Sequence, residues 1–133
     1  MNLYLKCWKK YFDFSGRAGI AEFWTFILVN YAIIFVALFC AGLANGIAPS
    51  GESEQLSATT IGSTFIAILC FLFGLATMIP SITVAIRRLH DTNKTGLLIL
   101  LAFIPVVGVL ILIFLYVLPS TPGENTYGPP TTS

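Results

Sequence analysis

The chain has 133 residues, 56% of them hydrophobic and only 10% charged, with a net charge of +1. Soluble globular proteins carry roughly 25% charged residues, so a water-facing surface cannot be built from this composition, and the length leaves no room for a soluble catalytic module beside a membrane part. The near-neutral balance shows no footprint for nucleic acid.

Residues 2–14 separate cleanly when each is rotated by about 100° about a helix axis. Asn2, Lys6, Lys9, Lys10 and Asp13 share one arc, and Leu3, Tyr4, Leu5, Cys7, Trp8, Tyr11, Phe12 and Phe14 fill the rest. Such a helix is expected to lie in the membrane interface, its aromatic rings at the headgroup boundary and its lysines drawn to anionic lipid. Ser15, Gly16 and Arg17 read as a turn.

A first transmembrane helix is expected over residues 20–44. Gly42 and Ala44 have the spacing that a signal peptidase accepts, but the apolar stretch 23–44 far exceeds the roughly 7–15 residues of a signal h-region, so it reads as a signal anchor. Residues 45–57 hold no Lys or Arg and read as a short extracytoplasmic loop. From 58 to 86 there is no charge at all, which gives a second transmembrane helix with slack for tilt and a possible bend at Pro80.

Residues 97–118 form a third apolar run, about 33 Å long if helical throughout, which is enough for one crossing. Pro105 and Gly108 interrupt its middle. Read straight, the run is a third span and the tail 119–133 lies outside. Read as two half-helices turning at 105–108, it is a re-entrant hairpin whose turn must be shielded by protein. The expectation is therefore an all-α integral membrane protein in one domain, 1–133, with about three transmembrane helices and an N-terminal interfacial helix, the hairpin being the alternative.

All seven Lys and Arg fall within 6–17 and 87–94, which places both stretches on the cytoplasmic side. The densest polar segment, Arg87 to Gly96, reads as a cytoplasmic loop. Together with Arg17 and Glu22 it would form one polar layer: Arg17, Glu22, Arg87, Arg88, His90 and Asp91. Glu22 near the hydrocarbon edge is costly alone, by up to roughly 2–3 kcal/mol, so Arg87 or Arg88 is expected beside it. Such a layer would staple helix ends together, and it also offers a surface for an anionic headgroup, a phosphate or a protein partner.

His90 is the single histidine, without a ligand set at metal spacing or a marked nucleophile near it, and reads as locally hydrogen-bonded. No phosphate-cradling loop, dinucleotide fingerprint or HExxH occurs, so no catalytic residue, cofactor or metal is assigned. Cys7, Cys40 and Cys70 lack CxxC spacing and are expected unpaired, at three different depths. Small residues at Ala37 and Ala41, Gly42 and Gly46, and Ser63 and Ala67 suit helix contact within the chain or in a homo-oligomer.

The motifs Gly16-Arg17-Ala18 with Glu22-Phe23-Trp24, Arg87-Arg88-Leu89-His90-Asp91 with Gly96, and the tail 122–129 resemble, in this order, the bacterial inner-membrane family known as domain of unknown function 805 (DUF805). The likeness runs from about Trp8 to Pro130. It implies an inner-membrane location and brings no assigned activity, while the cytoplasmic N-terminus is expected from the charge partition. This chain departs from the pattern at Gly19 and Ile20, where a second basic residue is common, and at Leu97 and Leu98, where an aromatic pair is. The patterned tail would make most sense docked beside the Arg-Arg motif. The function expected is that of a structural or interaction protein that binds lipid or a partner. The alternative is a homo-oligomeric transporter or channel component with Glu22, Asn30, Arg87 and Arg88 along its path.

Overall fold

A computed structural model describes residues 2–47 and 58–131, and among them the ordered elements are helices, apart from an isolated bridge between Asn125 and Gly128. In chain order these are α1 (Leu3–Lys9), α2 (Ile20–Ile47), α3 (Ala58–Asp91), a 3-10 helix (Gly96–Phe103) and α4 (Val107–Val117). Most of the loop expected over 45–57 lies outside the described residues. The chain divides into two compact units, one of Met1–Leu28 with Met78–Ser133, the other of Val29–Thr77.

Among the described residues, the second unit holds stretches of α2 and α3. Both helices are long and apolar enough to cross a membrane, with mean hydropathy of 2.5 and 2.3. Their large side chains stay exposed, Phe35 at 67% and Phe71 at 65%, so these are not the core helices of a water-soluble fold. Cys40 and Cys70 are free thiols that line one apolar groove with Ile34 and Leu69. The expectation of three separate depths therefore fails for this pair, because α2 and α3 run side by side there.

The first unit carries the core, in which Phe23, Phe26, Val84, Leu89, Leu112 and Tyr116 pack together. The interfacial helix is shorter than residues 2–14: α1 spans 7 residues behind an Asn2 cap that accepts from the Tyr4 N–H, and 10–17 turn back. Tyr4 stacks on Phe26 at 5.5 Å and Trp8 meets the same ring edge-on, while Leu5, Phe12 and Phe14 remain exposed. Gly16, at φ 77, takes the left-handed conformation that this reversal needs.

Arg87 to Gly96 is only partly a loop. α3 runs without a break through Pro80 to Asp91, five residues beyond the end expected from the charges. Asn93 then terminates it in the left-handed region at φ 57, with Asn93 N–H on the His90 carbonyl and Lys94 N–H on the Leu89 carbonyl. That paired closure is the Schellman motif, with Asn in the place glycine usually takes.

No straight helix forms over 97–118. The 3-10 helix ends at Phe103, a turn follows, and α4 comes back against it. Both ends of this hairpin meet the last turns of α3: Gly96 approaches Ile86 and His90, and the Leu118 carbonyl accepts from Arg88. Within the turn the Ile104, Val107 and Gly108 N–H groups donate to Leu101, Pro105 and Ile104 carbonyls, and Pro105 brings no N–H. The Val107-to-Pro105 bond closes a γ-turn on Val106, at φ 62 and ψ −68. Gly108 permits the return: a Cβ there would overlap the carbonyl oxygen of Leu101.

Candidate functional site

α1, the N-terminus of α2 and the last turns of α3 bring two fully buried carboxylates into one layer. Glu22, in the first turn of α2, forms two ion pairs, its Oε1 lying 2.9 Å from Arg87 Nη2 and its Oε2 2.6 Å from Lys6 Nζ. Arg87 also donates to the Arg17 carbonyl at 3.1 Å, and its own carbonyl accepts from the Ala18 N–H at 3.0 Å. The thiol of Cys7 lies 4.0 Å from the Glu22 carboxylate. Burial, with the Glu22 charge second, pushes that thiol up to about 12.

Asp91, at the C-terminus of α3, is the second centre. Arg17 Nε reaches Oδ1 at 2.8 Å, and Arg88 Nη1 and the Ser120 hydroxyl both bond Oδ2. A helix C-terminus is an unfavourable place for a carboxylate, since the last carbonyls carry partial negative charge there. The two guanidinium groups offset it. The remaining donors of Arg17 and Arg88 go to backbone carbonyls: Arg17 to Thr121 and Gly123, each at 2.7 Å, and Arg88 to Tyr116 at 3.1 Å and to Leu118.

The tail closes this centre. Thr121 N–H and hydroxyl both donate to the Asp91 carbonyl at 3.0 Å. Asn125 donates to the His90 carbonyl at 3.0 Å, and Tyr127 lies flat on the His90 ring, 3.9 Å away and 2° from parallel. His90 is thus covered by the tail and touches neither carboxylate.

Of the six residues singled out from the sequence, Glu22 and Arg87 make one pair, while Arg17, Arg88 and Asp91 make a separate trio. His90 belongs to the tail contact. The sequence reading drew Lys6 to anionic lipid rather than to Glu22, and it singled out neither Ser120 nor Thr121, while Asn125 and Tyr127 entered only as part of the tail motif. The tail motif itself was the available signal. Among the described residues no group of three or more His, Cys, Asp or Glu side chains could hold a metal ion.

A family model described as "Protein of unknown function (DUF805)" matches residues 11–129. The chain belongs to this family. It is 38% identical over 131 residues to inner membrane protein YhaI of Escherichia coli strain K12, covering 96% of this chain and 93% of that protein. It is also 36% identical over 129 residues to inner membrane protein YhaH of the same strain, covering 97% and 95%. No solved structure matches. With two long apolar helices and these relatives, this DUF805 chain is a small membrane protein. The charged groups of the layer other than Lys6 fall inside the DUF805 match, and Lys6 and Cys7 precede it.

Proposed function

We propose that this DUF805 protein is a two-pass inner-membrane interaction protein whose charge layer faces the cytoplasm and binds anionic lipid headgroups. The positive-inside rule supports that orientation, since Lys6 to Arg17 and Arg87 to Lys94 belong to one unit. The tail bonded to Arg17 and Asp91 then shares their side, and both termini are cytoplasmic. The hairpin supports two crossings rather than three: α4 has 11 residues and reaches about 16 Å, roughly half of a ~30 Å hydrocarbon core.

The observation that carries the lipid reading is the charge balance. Among the described residues, Arg17, Arg87 and Arg88 are buried against two carboxylates, Glu22 and Asp91, and Lys6 adds a further cation. Lys9 and Lys94 are exposed nearby in sequence, so positive charge extends from the layer to the surface. Anionic headgroups offset such a surplus, and the exposed Leu5, Phe12 and Phe14 suit insertion at the headgroup boundary.

Native mass spectrometry of protein extracted from bacterial membranes tests this. Anionic phospholipid is expected to be retained over phosphatidylethanolamine, and a Lys9→Gln, Lys94→Gln double variant is expected to retain less. Protein that carries no anionic lipid, or that forms a closed homo-oligomer passing solute in vesicles, overturns the reading. A reporter fused after Ser133 checks the side of the tail independently.

A further inference from the structure

The two carboxylate centres differ in how their surplus cation is accommodated. At Glu22 the second cation is Lys6, whose side chain is 31% exposed and reaches water. At Asp91 both cations are buried, Arg17 at 1% and Arg88 at 0%, and one carboxylate serves the two. Among the described residues, the terminal nitrogens of Arg17 then bond backbone carbonyls. Nη1 faces the carbonyls of Gly123 at 2.7 Å and Gly128 at 3.4 Å, and Nη2 those of Thr121 at 2.7 Å and Asp91 at 3.5 Å.

Three of these four carbonyls come from the tail, which is otherwise held by the Ser120, Thr121 and Asn125 hydrogen bonds and the Tyr127 stack. No residue from 119 to 131 is itself buried, and its contacts are hydrogen bonds and the Tyr127 stack on His90. Its one charged residue is Glu124, an exposed acid that an anionic surface would repel. A segment that covers buried cations while its own residues stay exposed or only half-buried is held mainly by exchangeable bonds.

We infer that residues 119–131 are a displaceable strap, and that a phosphate group takes the place of the Thr121 and Gly123 carbonyls on Arg17 when the strap lifts. This rests on the reading of the layer as an anion-binding face. Guanidinium matches phosphate with two parallel charge-assisted hydrogen bonds, each roughly twice as strong as a bond to a neutral carbonyl. The phosphate also supplies the negative charge that the Arg17, Arg88 and Asp91 trio lacks. The released carbonyls are satisfied by water at the surface. The phosphate can belong to a lipid headgroup or be free in solution.

Hydrogen exchange of the tail peptide is measured for the full chain in maltoside micelles, which contain no phosphate, then after adding phosphatidylglycerol or, separately, inorganic phosphate. Protected tail amides are expected in the plain micelles, with exchange rising about tenfold on one addition. A response to phosphatidylglycerol assigns the lipid source, and a response to inorganic phosphate the soluble one. Unchanged exchange in a sample that native mass spectrometry shows to retain phosphatidylglycerol overturns the strap and leaves the lipid-binding reading standing. Unchanged exchange without retention overturns both. Because Arg17→Gln can fail to fold, Tyr127→Ala is the companion variant, since it removes the ring stack and leaves Arg17 and Arg88 intact. It is expected to exchange fast in plain micelles and to retain more phosphatidylglycerol than wild type; equal retention overturns the strap.

Discussion

Glu22 and Asp91 are both completely buried, yet they are shielded by different parts of the chain. Glu22 is enclosed by helices: Lys6 and Cys7 from α1 on one side, Arg87 from α3 on the other. Asp91 sits at a helix end and is enclosed by the tail through Ser120 and Thr121. The first is shielded by side chains packed between helices, the second by a surface segment that bonds through the Ser120 and Thr121 hydroxyls and the Thr121 N–H. A buried carboxylate need not mark a rigid site, and what covers it decides whether the site can open.

The largest expected effect follows from removing the shared anion. Asp91→Ala leaves Arg17 and Arg88 buried with no carboxylate between them, and breaking a buried ion pair in this way costs roughly 3–5 kcal/mol. Thermal unfolding in micelles is expected to show a loss toward the upper end of that range. Glu22→Ala strands Arg87 alone, because Lys6 can turn into water, so its loss is expected nearer about 3 kcal/mol. Equal losses, or a larger one for Glu22→Ala, would break the distinction drawn between the two centres.

Asn125→Ala probes the strap alone. Asn125 joins the His90 carbonyl, the Thr121 hydroxyl and the Tyr127 N–H, at 3.0, 2.8 and 2.9 Å. Losing these surface bonds is expected to cost about 1 kcal/mol and to speed exchange of the tail amides, with no change at α1. Faster exchange at α1 as well would mean that the two centres open together.

The two long helices were legible because uninterrupted apolar runs leave few alternatives to a helix in lipid. The pairing of Glu22 with a cation was legible from cost alone. What was not legible depends on long-range placement. The arc of α1 that holds Lys6 reads on a helical wheel as facing lipid headgroups, and only the approach of α2 turns that lysine onto Glu22. Charges at 87–91 imitate a loop, although Arg88 and Asp91, three residues apart, pair on one helical face. Pro105 and Gly108 allowed two readings of the third run. The close contact at Leu101, visible only in three dimensions, is what makes the hairpin.

The smallest effect is expected at Lys6, and it sharpens the comparison because Lys6 is the partly exposed member of its centre. An ion pair that is nearly a third exposed is screened by water, so Lys6→Met is expected to cost less than about 1 kcal/mol. Cys7 reports on the same pocket without disturbing it. Burial first, and then the Glu22 charge, raise its thiol from 9.0 to about 12, while Arg87 and Lys6 pull the other way. At pH 8 a thiol raised to about 12 is ionised only on the order of 1 part in 10⁴, so maleimide is expected to label folded protein slowly at this position. The sign of the pH dependence follows. Below pH 9 both states keep the proton, and between 9 and 12 the unfolded thiol gives it up while the folded one does not, so stability falls as pH rises through that window. Fast labelling of Cys7 at pH 8 would show that the Glu22 centre opens as readily as the strapped one, and the contrast between packed and strapped shielding would be lost.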